Sequence, residues 1–346
     1  MVAVTADATV EDVAWLVADH VSAAGAARRA ACALAERVGM RADRVGEIGL
    51  AVTELTANLV KHAGSGAVLL RLRHAAAGPV VEVVTVDHGP GIEDVEAAVV
   101  DGTSSAGTLG IGLGAVVRIA STWDWWSRPG AGTVLAAGFA AEPGTPAPAS
   151  SAVGITRPMT GQDVCGDAYA IREDGGVLTL LLADGLGHGP LAAVASAEAV
   201  RAFRAAPAGG PADLLRAVHR ALSGTRGAAA AVARLDGAEV RYAGVGNIAG
   251  VVDDGVTRRA MISHPGIVGA QARTIRETSY PLPRGAVVVL HSDGLTERQS
   301  LAPYPGLLAR TPLVTAAVLL RDFGVRRDDA SVLVARAGDG TSGAAG

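Results

Sequence analysis

The chain has little of several things, and each shortage excludes something. Among its 346 residues no apolar run approaches the span a bilayer requires, which is about 20 residues. No membrane-spanning helix is therefore expected. The opening stretch MVAVTADATVEDV carries acids and no basic segment, so it does not read as a signal peptide. There are only two cysteines, Cys32 and Cys165, far apart and without histidines around them. They cannot form a disulfide framework or a zinc site. With no export signal, a reduced, cytoplasmic setting is the simplest expectation. Lysine is nearly absent: Lys61 is the one example, and every other basic side chain is arginine. The net charge of −4 gives no reason to expect a nucleic-acid partner.

What is present fits a packed, two-domain protein. Apolar residues are 49% and charged residues 18%, so disorder is not the default. The length suits two domains of roughly 150 residues each. AAEPGTPAPASSA (140–152) is rich in Pro, Ala and Ser with no periodicity, and reads as a linker. Residues up to 142 hold 10 bases and 16 acids; the rest hold 20 and 18. We therefore expect a domain over 1–140, a linker over 141–152, a second domain over 153–337 and a flexible tail over 338–346.

In the first half, Ser22 reads as the N-cap of a helix reaching about Val38, with Gly39 as its stop. A second helix is expected over 42–62, stopped by Gly64, with Leu50, Leu55 and Leu59 toward the core. Strands follow near 66–74 and 79–87, then a glycine-rich loop, a helix at 111–121 and strands at 123–128 and 132–140. Helices followed by mostly hairpin-connected strands suggest an α+β sandwich with one helical layer. The second half predicts strands at 153–159, 167–173, 176–183, 229–235, 238–243, 249–253, 286–291 and 330–336, with helices at 190–205, 211–222 and 311–322. That pattern suggests two packed sheets flanked by helices.

Two constellations carry chemistry. In ELTANLVKHAG, Glu54 and Asn58 lie one helical turn apart and share a face. A carboxylate and a carboxamide so placed can activate a nucleophile and hold a hydrated Mg²⁺, although the same pair would suit a plain surface helix. Asp87 ends a strand and leads into Gly89 and Gly91. A carboxylate there can accept from an exocyclic amine such as that of adenine, and the glycines let a planar base lie on the backbone. Gly110, Gly112 and Gly114 precede a helix, where bare N–H groups cradle phosphates. Taken in order with Gly132-Thr133, these stretches resemble the boxes of the GHKL ATP-binding fold. Within it, they look most like the anti-sigma serine kinases of the RsbT/RsbW type. That resemblance implies a helical layer on a mixed sheet, Asn58 on Mg²⁺, Glu54 as general base, Asp87 on adenine, Thr133 near the adenine edge, and the glycine loop as an ATP lid.

The second constellation is a series of acids where strands end or begin: Asp167 in CGDAYA, Asp184 in ADGLGHG, Asp293 in HSDGLTE and Asp328 in RRDDASVLV. Any one could be an ordinary Asp-Gly turn or cap, and Asp253-Asp254-Gly255 reads as only that. Together, four oxygen donors suit hard divalent cations, which can activate a water and clamp a phosphoryl group. The Gly185 carbonyl could join them. The series resembles the SpoIIE-type branch of the PPM metal-dependent serine/threonine phosphatases. The resemblance implies an α-β-β-α sandwich with Mn²⁺ or Mg²⁺ on Asp184, Asp293 and Asp328, helped by Gly185, and on Asp167 directly or through water. It also implies in-line attack by an activated water. GVGNIAG, around Asn247, looks like the family's hairpin beside the site. His188 reads equally as a residue behind the ligands or as a helix cap. Cys165-Gly166 departs from the family's usual paired glycines.

The whole chain then resembles a fusion of an RsbT-like ATPase or kinase with an RsbX-like phosphatase. The partner so implied is a phosphorylated STAS-domain antagonist or stressosome-type protein, or a sigma or anti-sigma factor. Two rival expectations stand beside the phosphatase. One is mainly a serine kinase; the other is a non-catalytic ATP-binding docking or sequestering protein.

Overall fold

The computed structural model describes residues 9–100, 112–145, 150–296 and 299–336. The chain divides into two compact units, one running from Ala8 to Ala149 and the other from Ser150 onward. Among the described residues no helix is long and apolar enough to cross a membrane.

The first unit begins with β1 (Thr9–Ala18), α1 (Ala23–Arg37) and α2 (Ala42–Asn58). α1 is alanine-rich, which favours helix, and it buries Ala27, Ala31, Leu34 and Ala35 at helical spacing. Its start differs from the expected cap. Ser22 precedes the helix but makes no side-chain cap; its hydroxyl lies 3.0 Å from His20 Nδ1 instead. α2 buries Val45, Ile48, Val52 and Leu55 on one stripe. Leu50, expected toward the core, is 38% exposed, because it falls on the opposite side of that stripe. Past Asn58 the helix continues as one wide π turn over Leu59–Ala63, and Gly64 closes it with φ 76°.

The sheet of this unit has five strands in the order β1-β2-β3-β5-β4. They are β2 (Gly66–Ala75), β3 (Gly78–Asp87), β4 (Thr122–Ser127) and β5 (Thr133–Ala140) with β1. Two short helices, α3 (Val95–Val99) and α4 (Gly112–Ile119), lie between β3 and β4 in sequence. α3 was not expected. Every pairing is antiparallel, where the resemblance had implied a mixed sheet. The cause is that β5 drops between β3 and β4 and runs against both. One face packs Val68, Leu70, Val81, Val83 and Phe139 against the α1–α2 layer.

The second unit has two sheets. The first runs β13-β10-β9-β8-β7, with β14 on β10. The second runs β12-β11-β15-β16-β6. In chain order the strands are β6 (Ala152–Arg157), β7 (Asp167–Asp174), β8 (Val177–Gly185), β9 (Ala228–Asp236), β10 (Glu239–Val245) and β11 (Ala249–Asp253). Then come β12 (Arg258–Met261), β13 (Ser263–His264), β14 (Thr278–Pro281), β15 (Val287–His291) and β16 (Ala330–Arg336). Leu180, Leu182, Tyr242, Val288, Leu290 and Leu333 fill the space between the sheets. α5 (Pro190–Ala205) and α6 (Pro211–Ala221) cover the first sheet through Phe203, Leu215 and Val218. α7 (Pro312–Phe323) covers the second, packing on β16 and β6. The result is the expected α-β-β-α sandwich. The short strands β12, β13 and β14 were not anticipated.

Candidate functional site

In the first unit the structure gathers most of the expected nucleotide residues. Glu54 and Asn58 are both partly exposed, one turn apart at the end of α2. Asn58 is the last regular residue before the π turn, a widening that often marks a functional position. Gly89 backs onto Ala63 at the end of that turn. Asp87 is the last residue of β3, and its Oδ1 accepts from Gly89 N at 2.8 Å and Thr133 N at 3.1 Å. The carboxylate thus ties the start of the glycine loop to β5. Gly132 makes this closure sterically feasible. It holds φ 72°, and a Cβ there would sit 2.1 Å from Asp87 O. Thr133 Oγ1 lies 2.9 Å from Ser127 Oγ, which in turn accepts from Ile92 N, one residue past Gly91. Gly110 lies outside the described residues. Gly112 opens α4 and Gly114 is buried in its first turn, so these two belong to the helix start rather than to the loop before it.

In the second unit, strand pairing explains the acids. An antiparallel ladder puts the end of one strand beside the start of the next. Asp167 opens β7, Asp184 comes near the end of β8, and the two are direct register partners. Asp293 follows β15 and Asp328 precedes β16, and those strands are also paired. Each sheet therefore delivers two acids to one end of the sandwich. They feel one another. Asp184 is pushed up to about 9, by burial first and then by the charges of Asp167, Asp293 and Asp328. Asp167 is raised to about 6, mainly by burial. Asp328 is raised by burial and by Asp293, while His188 pulls it down.

Other side chains hold the acids in place. Asn247 Nδ2 donates to Asp293 Oδ2 at 2.6 Å, so the β10–β11 hairpin does reach the site. Asp329, the second acid of RRDDASVLV, is 4% exposed. Its Oδ1 accepts from Met159 N and its Oδ2 from Gly166 N, both at 2.8 Å. It pins the loop that carries Asp167, and its neighbour Asp328 faces the site. That division of labour could have been suspected from the doublet Asp328-Asp329 at a strand start. Gly185 donates its N–H to Gly166 O, and a Cβ on it would lie 2.1 Å from Ala192 O. Close approach of α5 thus requires glycine here, whatever its carbonyl does. His188 is exposed and caps nothing: Gly189 occupies the cap of α5, which has no side-chain bond. Asp254 accepts from Val256 N and Thr257 N, an ordinary turn, as expected; Asp253 does more than turn the chain, for it is buried and accepts from the distant Leu301 N as well as from Gly255 N.

The donor chemistry fits a hard divalent cation. All side-chain donors are carboxylate oxygens. Both oxygens of buried Asp167 also lack a hydrogen-bond partner, a state a purely structural acid avoids. Among the described residues, no three Asp, Glu, His or Cys side chains converge on a single point. The residues that would hold a cation are Asp167, Asp184, Asp293 and Asp328, with the Gly185 carbonyl.

Comparison with known proteins agrees with both halves. Residues 16–138 match the model of the histidine kinase-like ATPase domain. Residues 174–338 match that of stage II sporulation protein E, SpoIIE. The serine/threonine-protein kinase RsbT of Bacillus subtilis is 30% identical over 112 residues, which is 32% of this chain and 84% of RsbT. The chain belongs to the RsbT family through its first unit and carries a SpoIIE domain as its second. Among solved structures, one described as the bacterial stressosome, a modular system adapted to control secondary messenger signalling, is 32% identical. It covers 54% of this chain and 98% of its own, with a TM-score of 0.50. RsbX in complex with magnesium is 18% identical over 53% of this chain and 92% of its own, with a TM-score of 0.45. The SpoIIE match thus contains Asp184, Asp293 and Asp328, with Asp167 just before its start, and the ATPase-domain match contains the Asp87 loop.

Proposed function

We propose that the SpoIIE domain is a divalent-cation-dependent phosphatase for phosphoserine or phosphothreonine on a small protein partner. The observation that carries this reading is the set of four carboxylates that paired strands bring to one end of the sandwich, close enough that the other three raise the pKa of Asp184. A lone acid at a strand end would serve a turn; four held together against their own repulsion need a cation to offset it. Mn²⁺ or Mg²⁺ bound there would supply charge neutralisation of the phosphoryl group and a water acidified for attack. The chain's own contribution is positioning. Asn247 holds Asp293, Asp329 holds the loop of Asp167, and Gly185 lets α5 close on the site. Because catalysis of phosphoryl transfer is mostly positioning and charge stabilisation, that is the contribution expected of a protein. The test is hydrolysis of a phosphoserine peptide and an aryl phosphate with Mn²⁺, beside Asp184→Ala and Asp293→Ala. A wild-type protein that binds Mn²⁺ yet leaves both substrates intact overturns it.

The RsbT-type domain favours a second activity on the same partner. Its Asp87 loop is shaped by hydrogen bonds to Gly89 and Thr133, and Glu54 and Asn58 lie on the adjoining helix end. We infer ATP binding with Mg²⁺ on Asn58, adenine on Asp87 and Glu54 as the base of a serine kinase. Kinship with RsbT, and the 32% identical stressosome structure, support a STAS-domain antagonist or stressosome-type protein as the shared substrate. Transfer of labelled γ-phosphate to such a protein, lost in Glu54→Ala, would establish a bifunctional switch. ATP binding without transfer would leave a docking module.

A further inference from the structure

Arg226 stands in the turn between α6 and β9, and that turn is fixed from both sides. Thr225 donates to Leu222 O from its N–H at 2.9 Å and from its hydroxyl at 2.8 Å, and Thr225 Oγ1 accepts from Gly227 N at 3.0 Å. Gly227 holds φ 81°, and a Cβ on it would lie 2.7 Å from Val268 O. From there the ladder of β8 and β9 sets the register: Asp184 faces Ala229 and Gly185 faces Ala228. One step further, Leu186 N donates to Gly227 O at 3.0 Å. Arg226 therefore comes opposite Gly187, three residues past Asp184. Its side chain does lie there, with Nη1 3.2 Å from the point a Cβ on Gly187 would occupy. The guanidinium rests on the loop that leaves Asp184 for α5.

Arg201, Arg216 and Arg241 of the same unit are paired with Glu198, Asp213 and Glu277. Arg226 is different. It is exposed, and among the described residues its side chain makes no ion pair and no hydrogen bond. A guanidinium offers a planar fork of donors that matches two oxygens of a phosphate. Here the fork is placed by its backbone and has no acceptor of its own. The acids beside it need cations, not an arginine. Once cations sit on them, the anion left to be held at that end is the phosphoryl group of the substrate, with about two negative charges.

We propose that Arg226 is a substrate-binding residue whose guanidinium takes the non-bridging oxygens of the phosphoryl group on phosphoserine or phosphothreonine. This rests on the phosphatase reading above and adds to it a contact supplied by the chain itself. The contact is to the phosphoryl group, so it serves every phosphorylated substrate alike, and it acts on substrate affinity without touching the cation ligands.

The experiment compares the full chain with Arg226→Ala in three measurements: calorimetric titration with Mn²⁺, calorimetric titration of the Mn²⁺-loaded protein with inorganic phosphate, and kinetics on an aryl phosphate and a phosphoserine peptide. Arg226→Ala is expected to weaken phosphate binding, and to raise KM for both substrates, by about tenfold or more, the usual size of a hydrogen bond to a charged group. Mn²⁺ affinity and Tm should stay at wild-type values, because the side chain bonds nothing in the protein. Arg201→Ala, whose partner is Glu198 on α5, is the control for loss of one positive charge and should change none of these. Wild-type phosphate affinity in Arg226→Ala, or an equal loss in Arg201→Ala, overturns the proposal. So does a rise of KM for the peptide alone, which would put Arg226 on residues flanking the phosphoserine. A wild-type chain that binds Mn²⁺ and hydrolyses neither substrate overturns the phosphatase reading instead, and phosphate binding still decides the role of Arg226.

Discussion

The two candidate sites would hold phosphate chemistry by opposite means. Around Asp87 the work is done by backbone: one carboxylate collects N–H groups from Gly89 and Thr133, and Gly132 allows the chain to pass within contact of Asp87 O. At the other site the work is done by charge: Asp167, Asp184, Asp293 and Asp328 are held together although the charges of the other three oppose ionisation of Asp184. A nucleotide brings its own charge, so its site can be a shaped cradle. A site that is to meet a protein-bound phosphate with cations has to store, in advance, the acids that hold them. The difference predicts that the two functions can be broken separately.

The largest effect should come from removing one stored acid. Asp184→Ala or Asp293→Ala is expected to lower Mn²⁺-dependent phosphatase turnover by more than about 100-fold, since even groups behind a ligand cost roughly 10–100-fold. ATP affinity, measured by titration on the same samples, should not change. A fall in both would mean that the sites are not independent. The converse break is Gly132→Ala. Its φ of 72° and the 2.1 Å approach to Asp87 O leave no room for a Cβ. ATP affinity should drop more than tenfold, and the first unit should lose roughly 1–3 kcal/mol from backbone strain. Phosphatase turnover should stay at the wild-type level.

Asp329 sharpens the comparison from the other direction, because here a carboxylate serves backbone. Asp329→Ala would orphan the part-buried N–H of Met159 and the buried N–H of Gly166. A cost of about 1–3 kcal/mol is expected for each unsatisfied group, visible as a lower denaturant midpoint of the second unit. Turnover should fall as well, through the loosened Asp167 loop, and Mn²⁺ affinity should fall with it. If stability drops and affinity does not, the loop does not govern the acid.

Much of this was legible from residue order. The acids at strand ends, the helices at 190–205 and 311–322 and the long hairpins stand within a few residues of their expected places, because alternation and glycine punctuation report local structure. What escaped was set by helix phase, by local competition for a side chain, or by distant contacts. Leu50 has the right residue type for the core but the wrong angle on α2. Ser22 sits where a cap belongs, yet bonds His20. β13 joins β10 in parallel across a loop, which no local pattern encodes. The antiparallel placement of β5 between β3 and β4 is likewise a matter of topology. At the site, the four acids were readable as an ordered series, since any one alone reads as a turn or cap. Asp329 was not, because an acid next to an Asp reads as turn until burial shows otherwise.

The most gradual effect is pH dependence, and it separates the two sites without mutation. Asp184 has its folded pKa raised from 3.8 to about 9 in the cation-free protein. Between those values the folded state keeps a proton that the unfolded chain has released, so stability is greatest near pH 4 and falls as pH rises through the folded pKa. The slope cannot exceed about 1.4 kcal/mol per pH unit for one proton, and a half-buried group gives less. Metal-free second unit should therefore lose Tm steadily from pH 5 to about 9, and Asp184→Asn should flatten that decline. Added Mn²⁺ competes with the proton, so the Tm gain it confers should grow with pH over the same window. Among the described residues the Asp87 site has no comparable cluster of acids, so the unfolding of the first unit should show no such decline tied to Asp184. A flat Tm profile for the metal-free wild-type second unit would mean that the four acids do not burden one another as their placement implies.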